Sequence, residues 1–145
     1  MSLRLNYSPM FSRGGGSSGL ILPLSGICDA SLEVGVCVYI SGNTDNGKRF
    51  FSASSALDHS TLPSIGIVVS KPTATKCEVA TYGTIQLPDS VPVLQVGKVA
   101  FVGIDGFAKT NLLTEVSGCL YLQRVGSASK PRELIIKFGE EIGIL

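Results

Sequence analysis

Residues 32–40 read Leu-Glu-Val-Gly-Val-Cys-Val-Tyr-Ile, and residues 94–102 read Leu-Gln-Val-Gly-Lys-Val-Ala-Phe-Val. Both stretches place a glycine after Leu-x-Val, followed by an apolar run with an aromatic side chain at the same spacing. Branched and aromatic residues are typical of strands, and glycine is typical of the turns that precede them. The repeat therefore predicts the same turn-and-strand unit at two places in the chain.

The similarity continues downstream of both stretches. Three further pairs recur: Ile65-Gly66 as Val125-Gly126, Ser70-Lys71-Pro72 as Ser129-Lys130-Pro131, and Tyr82-Gly83 as Phe138-Gly139. Two copies are too few for a solenoid or a propeller. Each unit alone would leave an apolar face in water, so we expect two similar β units to pair into one small β-barrel or β-sandwich.

Turn residues divide the rest of the chain into short β-prone runs. Asn46-Gly47 suits a tight turn, and Gly103-Ile104-Asp105-Gly106 suits a hairpin. Ser52–His59 is the nearest helical candidate and is long enough for only a turn or two. The sequence therefore predicts an all-β fold, with strands near 34–40, 64–70, 76–82, 99–102, 107–109, 120–125 and 133–138.

The composition predicts one compact domain. Of the 145 residues, 44% are hydrophobic and 16% are charged, which suffices for a core. The net charge of +1 argues against a strongly basic nucleic-acid surface. No apolar run approaches the roughly 18 residues of a membrane span, and the N-terminus lacks the apolar region of a signal peptide. We expect assembly in the cytoplasm, reduced cysteines, and neither nucleic acid nor membrane as a partner.

Residues 1–19 differ from the remainder, residues 20–145, which we predict to form the β domain. Residues 13–19 read Arg-Gly-Gly-Gly-Ser-Ser-Gly, the composition of a flexible linker. Two readings stay open: a disordered tail, or an extended arm that reaches a neighbouring subunit and buries apolar anchors there. For the second reading, the expected partner-binding residues are Leu5, Tyr7, Met10, Phe11, Leu20, Ile21, Leu22 and Leu24.

Several residue groups could carry chemistry, and none has a convincing pattern. Asp58-His59-Ser60 contains the residue types of a hydrolase triad, but consecutive side chains point in different directions, so a turn is the better interpretation. The four cysteines form no C-x-x-C pair, and His59 is the only histidine, which argues against a zinc site. Glu140-Glu141 reads as a solvated terminus. We therefore expect no enzyme activity, no metal, no cofactor and no small-molecule substrate.

The two-part pattern resembles small bacteriophage capsid decoration proteins, also called cement proteins. The resemblance covers about residues 32–139, and its most specific part is Gln123-Arg124-Val125-Gly126-Ser127-Ala128-Ser129 with Leu134-Ile135-Ile136. The remaining motifs are more generic hairpin patterns. They lie at Gly35 to Ile40, Ala53 to Ala56, Pro63 to Ile67, Val79 to Gly83 and Gly97 to Gly106.

This resemblance implies a β-tulip-like domain, often a homotrimer, on the outside of a phage head. There it would bind the major capsid protein and clamp neighbouring capsid subunits together. Similar hairpin modules occur in phage tail fibres and baseplates, so a structural or receptor-binding module of the tail is the alternative. Both readings place the chain in a virion as a structural protein.

Overall fold

The structure, a computed structural model, describes residues 22–110 and 121–143. Over these residues the chain is all-β, with eleven strands, one 3-10 turn (His59–Thr61) and no α-helix, which confirms the predicted fold class. The strands are β1 (Leu24–Cys28), β2 (Cys37–Asn43), β3 (Arg49–Ala53), β4 (Gly66–Thr73), β5 (Lys76–Ala80), β6 (Gly83–Gln86), β7 (Val99–Val102), β8 (Ala108–Lys109), β9 (Tyr121–Lys130), β10 (Glu133–Ile136) and β11 (Glu141–Gly143).

The first unit, β1 to β5, is a closed barrel with the strand order β1-β3-β2-β4-β5. Strand β1 closes it, because β1 pairs with β5 on one side (Leu24 opposite Val79) and with β3 on the other (Ile27 opposite Phe50). The β1–β3 pairing is parallel, and the other pairings in the barrel are antiparallel. Closure leaves no strand of this unit with an open edge.

The second unit, β6 to β11, is an open sheet with the order β6-β10-β9-β7-β8. Strand β11 also pairs with β9, at the end of β9 away from its hairpin with β10 (Leu122 opposite Ile142). Read from its first strand, the barrel runs β1-β5-β4-β2-β3, so the two units share one strand order. The internal repeat therefore marks a duplicated topology, closed in the first copy and open in the second.

The repeated Leu-x-Val-Gly sequence forms the same turn in both units. In each copy the residue after the glycine donates its N–H to the carbonyl oxygen three positions earlier, at 3.4 Å in the first copy and 3.1 Å in the second. The glycines lie third in these turns, with φ of 98° at Gly35 and 83° at Gly97, as a type II turn requires. Each glycine N–H also donates to the adjacent strand, to Val68 O (2.8 Å) or Ala128 O (2.7 Å).

The two turn glycines differ in their surroundings, which makes them a matched pair for mutation. A Cβ at Gly35 would lie 2.5 Å from Cγ2 of Val91, whereas a Cβ at Gly97 would meet nothing within 4 Å. Both alanine variants should bear the strain of positive φ, and only Gly35→Ala should also disturb packing. We expect losses in unfolding free energy of about 3 kcal/mol for Gly35→Ala and about 1 kcal/mol for Gly97→Ala, measured by urea denaturation. Equal losses would contradict the packing role of Gly35.

Gly66 and Gly126, which recur in the two copies of the repeat, lie at equivalent places in strands β4 and β9. The hairpins that follow these strands show that the downstream residue matches were assigned one residue out of register. A Cβ at Gly66 would overlap the carbonyl oxygen of Ala80, and one at Gly126 would overlap that of Ile135. The neighbouring backbone therefore comes so close at both positions that only glycine fits. A register shift follows at the same point of β4 and β9, after Val68 and after Ala128. Because the shift comes just before Ser70 in the first copy and just before Lys130 in the second, Ser70 and Lys130 occupy equivalent positions. The match of residues 70–72 to residues 129–131 that the sequence suggested is therefore wrong by one residue. The pairing of 82–83 with 138–139 is displaced in the same way.

Strand alternation gives each sheet two faces. The barrel interior is filled by one cluster with members from all five strands: Cys28, Leu32, Val36, Val38, Phe51, Val68, Cys77 and Val79. Their strand neighbours Cys37, Ile67 and Ala80 point the other way and form the barrel outer face. These three residues are fully buried, in a second cluster that includes Ala128 and Leu134 from the inner face of the second sheet. The barrel outer face therefore lies against the inner face of the second sheet.

The side chain of Gln123 links the two units by hydrogen bonds across this boundary. It lies on β9 and is 2% exposed. Its Oε1 accepts a hydrogen bond from Ser64 N–H (2.7 Å), and its Nε2 donates to Ser64 O (2.8 Å) and Gly139 O (3.1 Å). The backbone adds a bond from Cys37 N–H to Gly106 O (2.8 Å). These bonds give the buried side chain of Gln123 and the buried backbone groups of Ser64 and Cys37 partners across the boundary.

The predicted strands are confirmed, with shifted bounds. The first starts at Cys37 instead of residue 34, because the turn occupies 33–36. The sequence missed β1, β3, β6 and β11. Ser52–His59, the nearest helical candidate, forms no α-helix, because β3 extends to Ala53 and a 3-10 turn follows at His59–Thr61.

Candidate interaction surface

The outer face of the second sheet carries an exposed row of side chains, which we call the outer row. It consists of Val99 on β7, Ser127 on β9 and Ile135 on β10, which lie directly opposite one another in the strand register. Val99 is 36% exposed and Ile135 is 46% exposed, and Ser127 between them is half-buried. Cross-strand neighbours in one row form a continuous surface, so the outer row is an accessible strip with two apolar side chains on either side of a serine.

Two cations flank the outer row, and we call them the cationic flank. Lys137 follows Ile135 by two residues and so points to the same side of the sheet, and Arg124 lies opposite Phe101 on the adjacent strands. Both are exposed, and neither forms an ion pair with another described residue. Glu133, on the other side of the row, accepts hydrogen bonds from Gln86 (2.6 Å) and Ser129 (2.8 Å). Glu133 also lies 4.0 Å from Lys130 Nζ, so the charges beside the row that lack an ion-pair partner among the described residues are positive.

A second surface feature is a pocket of about 330 Å³ at one end of the barrel. Asp29, Glu33 and Asp105 contribute carboxylates to its lining, and Val36 and Phe51 contribute apolar surface. Asp105 already forms an ion pair with Lys109 (3.0 Å). Among residues 22–110 and 121–143, no group of three His, Cys, Asp or Glu side chains is placed to hold a metal ion. The sequence did not indicate this pocket.

The residues Asp58, His59 and Ser60 form a capped turn. Asp58 caps the 3-10 turn, accepting hydrogen bonds from the N–H (3.0 Å) and hydroxyl (2.7 Å) of Ser60, and these bonds lower the pKa of its carboxyl. The His59 ring turns away, with Nε2 3.3 Å from Glu141. The Ser60 hydroxyl thus faces the carboxylate instead of the imidazole, so the three side chains do not form a serine–histidine–aspartate relay. Glu141, predicted to be solvated, is partly buried in this contact.

Three of the four cysteines lie in the described part of the chain, as free thiols. Cys28, Cys37 and Cys77 are all buried. Burial raises the pKa of the Cys37 thiol to about 12 and that of the Cys77 thiol to about 12. A thiol held protonated is a poor nucleophile, so Cys37 and Cys77 act as packing groups at neutral pH.

Of the partner-binding residues predicted from sequence, the structure places only the last two. Leu5, Tyr7, Met10, Phe11, Leu20 and Ile21 lie outside the described residues. Leu22 is 52% exposed, just before β1, and remains available for contact. Leu24 begins β1, is half-buried and packs against the barrel interior, so part of its apolar surface serves the fold. Leu22 and Leu24 stay predicted contact residues.

Within the described residues, no helix is long and apolar enough to cross a membrane. No protein-family model matches the chain, and no curated protein sequence matches it.

Proposed function

We propose that this chain is a structural protein of a bacteriophage virion, a decoration protein that binds the outer surface of the head. One observation supports this proposal most: the outer row presents apolar side chains on the outer face of a sheet, beside two cations that form no ion pair with any residue of 22–110 or 121–143. Exposed apolar strips of this kind are typical of surfaces that bind other proteins. The resemblance of residues 32–139 to decoration proteins identifies the partner we propose, the major capsid protein.

The proposed activity is clamping and requires no covalent chemistry. A decoration protein adds buried contact between capsid subunits, and binding becomes favourable once the apolar contact exceeds the costs of ordering and rigid-body association. We propose a homotrimer, in which each subunit would contact its neighbours around a threefold axis. Many copies on one shell, each with several contacts, would gain from avidity, so each contact surface could remain modest.

The direct test is a binding experiment with empty heads of the cognate phage. Purified chain, mixed with heads that lack it, is expected to co-sediment at a fixed stoichiometry. An electron cryomicroscopy reconstruction of the complex should then show density on the outer surface, across the junctions of capsid subunits. Density confined to the tail of complete particles would instead support the tail-fibre or baseplate alternative. Absence of the chain from both head and tail would refute a virion role.

The N-terminal arm gives a separate prediction. Deleting residues 1–19 should leave the thermal unfolding midpoint unchanged, because the described barrel and second sheet lie outside the deletion. The same deletion should weaken head binding about ten-fold or more, because the apolar anchors Leu5, Tyr7, Met10 and Phe11 are lost. A full-length variant with these four residues changed to serine is the matched control and should bind as weakly as the deletion. Full occupancy by both variants would show that the arm is a passive tail.

A further inference from the structure

Because the two units share one topology, each residue of the outer row has an equivalent residue in the barrel, and the structure shows what covers those equivalent residues. Strand register matches the outer row of the second sheet to the barrel outer face of the first. The matched positions in the barrel are fully buried, because the inner face of the second sheet packs on them. In the first copy of the topology, this face is therefore an interface for another β layer.

The second copy keeps an apolar surface at these positions although no described residue covers it. Val99 and Ile135 occupy the places of Cys37 and Ala80, which are smaller, and Ser127 between them occupies the place of Ile67. Branched apolar side chains favour strands even on a face in water. The buried position of the matching residues in the barrel is therefore what indicates an interface at this face.

Charge limits what the occupant can be. The cationic flank, Arg124 and Lys137, has no counterpart in the first unit, where the matching residues are Ser64 and Tyr82. Both cations lie at the side of the apolar strip and lack ion-pair partners within 22–110 and 121–143. A complementary surface would bring apolar side chains to the strip and carboxylates to Arg124 and Lys137.

A second copy of this chain does not meet these requirements. The barrel cannot offer an inner face to the outer row of another copy, because its sheet is closed and its interior is filled. The inner face of the second sheet is already covered by its own barrel. Two outer rows related by a twofold axis would bring the cationic flank of one copy towards Glu133 of the other, but that carboxylate already accepts hydrogen bonds from Gln86 and Ser129 and lies 4.0 Å from Lys130 Nζ.

We infer that the outer row and the cationic flank together dock a different polypeptide, through an apolar β surface bordered by acidic side chains. This inference rests on the proposed function, in which that polypeptide is the major capsid protein. It adds a second contact surface, on the opposite terminal half of the chain from the arm. The two surfaces would let one subunit touch its partner at two separate places.

The test compares surface variants of the full chain for binding to empty heads. Val99→Ser/Ile135→Ser should weaken binding about ten-fold or more, through lost apolar contact. Its control is Val93→Ser/Ile40→Ser, which removes the same residue types at comparable exposure (55% and 44%) elsewhere and should bind as the wild type does. Arg124→Glu/Lys137→Glu should weaken binding at least as much. Its control is Lys48→Glu/Lys76→Glu, the same charge change on the barrel.

Foldedness and salt dependence complete the experiment. All four variants should keep the wild-type unfolding midpoint, because the changed side chains are exposed. An additional Arg124→Ala/Lys137→Ala variant should weaken binding and flatten its salt dependence, since screening acts on the lost charge pairs. If the wild type binds heads and the Val99→Ser/Ile135→Ser and Arg124→Glu/Lys137→Glu variants bind equally well, the docking inference is overturned and the proposed function is not. Failure of the wild type itself to bind heads would overturn the proposed function together with the inference.

Discussion

Replacing Gln123 by leucine is expected to lower the free energy of unfolding by about 3 kcal/mol or more. Leucine has a similar volume, so the cost comes from hydrogen bonds and not from a cavity. The change removes the partner of Ser64 N–H and one partner each of Ser64 O and Gly139 O. Ser64 is itself 2% exposed, so its N–H and C=O cannot turn to water instead.

Urea denaturation of Gln123→Leu beside Gln86→Leu would measure this effect. Gln86 is exposed, lies on the same sheet and makes one side-chain hydrogen bond, to Glu133 (2.6 Å). We expect Gln86→Leu to cost less than about 1 kcal/mol, because both of its hydrogen-bonding groups can be solvated. If the two variants unfolded at the same urea concentration, the hydrogen bonds of Gln123 would not stabilise the packing of the two units.

The second large effect is expected at Phe51, the largest fully buried side chain in the barrel interior. Phe51→Ala should cost about 3 to 5 kcal/mol, because the space it vacates cannot collapse easily. The backbone around it is tied into a closed ring of strands, and Gly26 already approaches the phenyl ring so closely that a Cβ there would overlap it. An enclosed cavity is therefore expected after the substitution.

The adjacent Phe50→Ala is the matched control for Phe51→Ala. Phe50 has the same side chain and lies on the same strand, but it points to the other side and is only half-buried. Its loss should cost about half as much or less, by thermal or urea denaturation. A smaller loss at Phe51 than at Phe50 would show that the barrel interior adapts to the missing ring.

The sequence predicted the fold class and the duplication because both depend on local signals. The type II turn at Gly35 and Gly97 needs one residue with positive φ, and the strands that follow carry branched and aromatic side chains. Strand β1 gave no such signal, since it contains Ser25 and Gly26, and its extended form depends on pairing with β5 and β3. Parallel closure of the barrel joins residues 27–28 to 50–51, and no local pattern encodes that contact.

Only part of the candidate surface could be predicted from the sequence. Val99 and Ile135 lie in predicted strands, but which face of a strand is covered depends on how the two units dock. The role of Gln123 requires knowing that Ser64, 59 positions away, lies beside it. A glutamine on the same strand face as Tyr121 and Val125, two residues to either side, is the one signal that could have marked a buried polar link.

The composition of the two cores imposes an order on folding during synthesis. The buried members of the barrel's interior cluster all lie between Cys28 and Val79, and from the second unit only the partly buried Phe107 packs against them, whereas the other large cluster needs Cys37, Ile67 and Ala80 together with the second sheet. The amino-terminal half can therefore bury most of its interior core while the rest is still on the ribosome, and it then serves as the template on which the later half assembles. Hydrogen exchange that protected both halves at the same moment of refolding would contradict this sequence of events.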